Sequence, residues 1–133
     1  MIEKTFPATD ESLALAIAFV EEELDKMDCP MKAVMQITVC VEEMFVNVAH
    51  YAYNGEEGNV TMKIDNENRL FSICLVDSGI PFDPLAKEDP DITLAAEDRG
   101  IGGLGIFMVK KTMDEVSYER VNDTNIFTMK KQI

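Results

Sequence analysis

The sequence predicts an α+β domain of about five strands and three main helices, and three patterns predict it. Apolar residues recur at helical spacing through the first third of the chain. Two stretches after residue 59 are alternating or continuously apolar, as strands are. A glycine-rich segment then opens into a third amphipathic helix, followed by a closing hairpin. At 133 residues the chain is expected to form one domain, 1–133. That length buries roughly two-thirds of the unfolded surface.

Met1 to Phe6 reads as a short edge strand closed by Pro7. Thr9 or Asp10 is placed to cap a helix running to about Lys26. Leu13, Ile17, Val20, Leu24 and Met27 mark its apolar stripe, and Glu21 to Glu23 are expected mostly outward. Asp28-Cys29-Pro30 breaks that helix and starts another, from about Met31 to Tyr53. Its apolar stripe is read as Val34, Thr38, Val41, Phe45, Val48 and Ala52. Asn54 to Gly58 is a loop. Val60, Met62 and Ile64 alternate with polar residues, Asn66-Glu67-Asn68 turns the chain, and Leu70 to Val76 is apolar enough to be central. Residues 85–97 carry four acids and little periodicity, which suits a lid or a disordered loop. Ile106, Val109 and Met113 form the third helical stripe. Glu115 to Val121 and Ile126 to Ile133 are the last strands, joined by Asn122 to Asn125, with Lys130 and Lys131 expected to blunt an edge.

Composition narrows the partners. The net charge is −13, from 25 acidic and 12 basic residues. A field of that sign repels nucleic acid and anionic membranes. Three cysteines without a CxxC spacing give neither a disulfide framework nor a zinc site, and Cys40 and Cys74 read as small core residues. The chain shows no secretory apolar region and no run approaching a membrane span, so a reducing cytoplasm is the expected compartment.

Three segments carry chemistry. Arg99-Gly100-Ile101-Gly102-Gly103-Leu104-Gly105 holds four of the seven glycines and leads into a helix. Glycine permits close backbone approach, and a helix N-terminus offers unpaired N–H groups, so phosphate oxygens suit the site. A plain flexible loop would read the same way. Glu43 and Asn47 stand four residues apart in a greasy helix and therefore on one side. A carboxylate and an amide so placed can hold magnesium, or position a water or hydroxyl, or form an exposed polar stripe. His50, the single histidine, is expected to be a structural hydrogen-bonder. Asp77-Ser78-Gly79 ends the central strand. It suits acceptance of a ligand amine, or an ordinary turn.

In order and spacing these segments resemble the GHKL ATP-binding superfamily, and within it the serine-kinase anti-sigma factors of bacterial partner-switching systems. Glu43 to Asn47 resembles the N box, Asp77 to Gly79 the G1 box, and Arg99 to Gly105 the G2 box. The resemblance implies a two-layer α/β sandwich of Bergerat type, with a mixed, mostly antiparallel sheet on one face, helices on the other, and an ATP lid over 85–101. It implies that Asp77 accepts the adenine amino group and that Asn47 coordinates Mg²⁺. Gly100, Gly102, Gly103 and Gly105 would offer main-chain N–H groups to phosphates. Gly79, Arg99 and Leu104 join the nucleotide-binding set, and Glu43 would act as general base on a partner's serine. Thr124-Asn125 stands where the family often has Gly-Thr, which leaves open any threonine contact through that position.

The function implied is an ATP-dependent serine kinase of an anti-sigma-antagonist (STAS-type) protein that, when free of it, holds a sigma factor. A non-catalytic ATP-binding module that sequesters a partner is the alternative, and a nucleotide-free acidic scaffold the third. With no dimerisation helix or phospho-acceptor histidine domain before the boxes, a full sensor histidine kinase is not the expectation. Apolar residues on the first strand and first helix would serve either a homodimer face or the core.

Overall fold

The computed structural model describes residues 1–86 and 104–133. Strands β1 (Ile2–Pro7), β2 (Asn59–Glu67), β3 (Leu70–Asp77), β4 (Glu115–Val121) and β5 (Thr124–Gln132) form one sheet in the order β1-β2-β3-β5-β4. All four pairings are antiparallel. Helices α1 (Leu13–Lys26), α2 (Met31–Asn47) and α3 (Leu104–Thr112) complete the predicted α+β set. Alternate residues are buried in β2 from Val60 through Met62 to Ile64, and in β3 from Phe71 through Ile73 and Leu75 to Asp77. They form one core with Val20 and Leu24 of α1, Ile37 and Phe45 of α2, and Val109 of α3. The helices therefore cover one face, and β3 is central as its continuous apolar character predicts. No helix of the described residues is long and apolar enough to cross a membrane.

Several elements differ from the sequence reading. The first helix starts as a 3₁₀ turn, Asp10–Ser12, and the Thr9 hydroxyl bonds the Ser12 hydroxyl at 3.0 Å instead of capping a backbone N–H. Glu23 is buried, because Lys26 reaches it at 2.9 Å and pairs its charge. On α2 the buried stripe is Ala33, Ile37, Cys40, Val41, Met44 and Phe45, while Val34, Thr38 and Val48 are only half-buried. The stripe is rotated because α2 lies between α1 and α3 as well as on the sheet.

The second helix also stops short of Tyr53: α2 ends at Asn47 and a π-helical turn follows, Val48–Ala52. There the Ala52 carbonyl accepts the Ile80 N–H at 2.8 Å, a tertiary bond that ties the end of the turn to the segment after β3. Cys74 is half-buried and contacts the Thr128 hydroxyl at 3.2 Å, whereas Cys40 is fully buried as expected. The β2–β3 turn lies at Asn68 and Arg69, both at positive φ, one step later than the polar cluster suggests. β5 is an interior strand, so Lys130 and Lys131 do not guard an edge. Lys131 instead donates to the Thr112 carbonyl at 3.0 Å, closing the C-terminus of α3.

Candidate functional site

One end of the sheet and the last turns of α2 enclose a pocket lined mainly by apolar side chains, among them Met44, Val48, Phe82 and Phe127, with Asn47, Asp77 and Asn125 as polar groups. Tyr51, Ile80 and Phe82 stand at its mouth with 58%, 44% and 47% of their surface exposed. An apolar slot with few convergent polar groups suits a flat heteroaromatic ring.

Asp77 comes to this pocket as the last residue of β3. It is only 6% exposed. Its Oδ1 accepts the Gly79 N–H at 2.9 Å and the Asn125 Nδ2–H at 2.9 Å. Among the described residues its Oδ2 has no hydrogen-bond partner. A carboxylate with one oxygen held and one free is an oriented acceptor for an amine.

Gly79 is glycine because of close approach. A Cβ there would collide with the Ala52 carbonyl, coming within 2.6 Å of its carbon. The π-helical turn and the segment after Asp77 therefore pack backbone to backbone. Tyr53 secures the same junction: its hydroxyl accepts the Ser78 N–H at 2.9 Å and donates to the Asn59 carbonyl.

Asn47 and Glu43 stand one helical turn apart on α2, both half-buried. The Asn47 side chain makes no hydrogen bond among the described residues and faces the pocket that Asp77 lines. Glu43 points to α3: a Cβ on Gly105 would fall on the Glu43 carboxyl and lie 2.8 Å from its Cγ. The carboxylate thus sits against the first turn of α3, where unpaired N–H groups and the helix dipole favour an anion. No group of three or more metal-ligating His, Cys, Asp or Glu side chains occurs among the described residues. A magnesium ion would take few protein ligands here, which is its habit when phosphates supply the rest.

Asn47 and Asp77 thus share one pocket, and Glu43, one turn before Asn47, packs against the start of α3. With that geometry, a family model described as the histidine kinase-like ATPase domain matches residues 6–131. The chain belongs to the histidine kinase-like ATPase family. Among curated relatives of that family, the serine/threonine-protein kinase BtrW of Bordetella bronchiseptica is 24% identical over 94 residues, 70% of this chain and 66% of that protein. The serine-protein kinase RsbW of Listeria monocytogenes is 26% identical over 115 residues, 83% of this chain and 73% of that one. RsbW of Bacillus pumilus is 28% identical over 127 residues, 90% of this chain and 78% of that one. Among solved structures, the RsbU and RsbW domains of a Mycobacterium tuberculosis protein superpose with a TM-score of 0.67 at 12% identity, covering 99% of this chain and 32% of that one. The shared architecture is the family fold.

Arg99, Gly100, Gly102 and Gly103, expected to bind phosphate, lie outside the described residues, as does most of the predicted lid over 85–101. Leu104 and Gly105 open α3. His50 bonds Asp10 at 2.8 Å, the structural role expected of it.

Sequence reasoning noted Asn125 only as a departure from the family's threonine position, and it missed Tyr118 and Arg120. Tyr118 and Asn125 line the pocket, and all three are joined by hydrogen bonds. Asn122 and Asp123 are both at positive φ and form the whole turn, so Thr124 and Asn125 belong to β5. Counting register from that two-residue turn would have paired Asn125 with Arg120, whereas its pairing with Asp77 is set by how β5 docks on β3.

Proposed function

We propose that this chain is an ATP-dependent protein serine kinase of the anti-sigma type, acting on an anti-sigma-antagonist protein in a partner-switching system. The observation that carries it is the placement of Asn47 and Asp77 on one pocket, with Glu43 one turn away against Gly105. Relatives named as serine-protein kinases support the reading.

The residues fit an ATP site. Asp77 Oδ2 accepts the adenine amino hydrogen, a group that guanine replaces with a carbonyl acceptor. The apolar walls hold the ring. Asn47 would hold a magnesium ion through its side-chain oxygen, and that ion when bound offsets phosphate charge. Main-chain N–H groups from Arg99 to Gly105 meet the phosphates. Glu43 accepts the proton of the partner's serine hydroxyl as its oxygen bonds to the terminal phosphorus. The bond from that phosphorus to the bridging oxygen breaks, and ADP leaves. Little more than alignment and charge compensation is needed for this chemistry. A sigma factor held in the absence of the antagonist completes the proposed cycle, which takes place in the cytoplasm.

The test is transfer from terminally labelled ATP to a candidate antagonist protein, with phosphoserine mapping. Glu43→Ala is expected to keep ATP affinity within a few-fold and to slow transfer by roughly 10²–10⁴-fold. ATP binding without transfer by the parent would leave the chain a sequestering module. Equal transfer by mutant and parent would remove Glu43 as the base.

A further inference from the structure

We propose that Asn125 is the residue that positions Asp77 and so sets the preference for a 6-aminopurine; the inference rests on the reading of this pocket as the adenine site. Asn125 is 5% exposed, and its amide has a neighbour for every polar function. Its Oδ1 accepts the Tyr118 hydroxyl, the Arg120 Nη1–H at 3.2 Å and the Phe82 N–H at 3.4 Å. Its Nδ2 donates to Asp77 Oδ1 at 2.9 Å and to the Ile80 carbonyl at 2.8 Å. The neighbours fix the orientation of the amide. Arg120 and the Phe82 N–H can only donate, while the Asp77 carboxylate and the Ile80 carbonyl accept.

Two consequences follow from that count. Both amide hydrogens are taken by protein, so Asn125 has no donor left for a ligand and acts through Asp77. With the Gly79 N–H also on Asp77 Oδ1, that oxygen is saturated, and Oδ2 is the one turned to a ligand. The same amide ties Ile80 and Phe82, which form the pocket wall, to β4 and β5. Arg120 adds a second tie by donating to the Gly79 carbonyl at 2.8 Å. Acceptor and wall are therefore held by one side chain. Register makes this possible: Asn125 lies opposite Asp77 on one side and Arg120 on the other. A one-residue slip would place Thr124 or Ile126 there and turn the amide to the open face.

The test measures ATP and GTP affinity at pH 6 and pH 8 for the parent, Asn125→Asp and Asn125→Thr. Asn125→Asp keeps an acceptor for Tyr118, Arg120 and the Phe82 N–H but sets an oxygen against Asp77. Among the described residues, the titratable and charged groups at that point are Asp77 from β3 and Tyr118 and Arg120 from β4. At pH 8 two facing carboxylates repel, and ATP affinity is expected to fall at least tenfold. At pH 6 a shared proton restores the missing donor, and much of the loss should return. Asn125→Thr, whose hydroxyl can donate to Asp77, should keep ATP affinity within about threefold and still reject GTP. A role confined to packing would give an equal loss at both pH values and no rescue by threonine, and that result overturns the proposal. So does unchanged ATP affinity in Asn125→Asp while the parent binds ATP and not GTP. A parent that binds neither nucleotide removes the adenine site itself, and the inference with it.

Discussion

Replacing Gly105 with alanine separates the position of the Glu43 carboxylate from the integrity of the fold. The added Cβ would overlap the Glu43 carboxyl and approach its Cγ to 2.8 Å, and the three nearest atoms all belong to that side chain. Because those atoms are the far end of a flexible side chain, the relief is rotation of Glu43 away from α3. Forcing a side chain off its preferred rotamer costs on the order of 0.5–1.5 kcal/mol. Alanine in place of glycine in a helix returns up to about 1 kcal/mol. The net change in stability is therefore within about 1 kcal/mol, a melting shift of no more than roughly 4 °C in a domain of this size. Transfer behaves differently. A reacting group misplaced by about 1 Å can slow a reaction roughly 10²-fold. Gly105→Ala is expected to melt near the parent, to bind ATP with similar affinity, and to transfer phosphate roughly a hundredfold more slowly in single turnovers. Parental transfer rates would refute the placement of Glu43 at the reacting hydroxyl. A fall of 10 °C or more in melting temperature would refute the freedom of Glu43 to move.

Two further outcomes concern the fold around the site. Gly79→Ala drives a methyl into the Ala52 carbonyl and breaks the Ile80 to Ala52 hydrogen bond, neither of which a side chain can relieve. Overpacking and one lost bond together cost about 2–4 kcal/mol, read as a lower urea midpoint, and a parental midpoint would refute the close approach. Burial pushes the Cys40 thiol above its ordinary value of 9.0. The unfolded chain then ionises first as pH rises, so this contribution is intact below about pH 9 and fades above it. Urea midpoints followed from pH 8 to 10.5 should fall more steeply for the parent than for Cys40→Ala, and parallel slopes would refute the assignment.

The sequence by itself determined the α+β class, all five strands, the central rank of β3, and the segments that carry Glu43, Asn47 and Asp77. Those features are written in local periodicity and in residue types whose chemistry is narrow: a glutamate in a greasy helix, an aspartate ending an apolar strand. Tertiary structure decided what periodicity cannot encode. Whether Lys131 guards an edge or closes α3 depends on strand order, and β5 turned out to be interior. The helix after Asn47 gives way to a π turn, and the Ala52 carbonyl at its end takes the Ile80 N–H, a donor 28 positions further along the chain. Asn125 reads as loop by composition. It becomes the partner of Asp77 only because the β3–β5 register sets the two opposite each other, and a shift of one position would have reversed every side chain of β5.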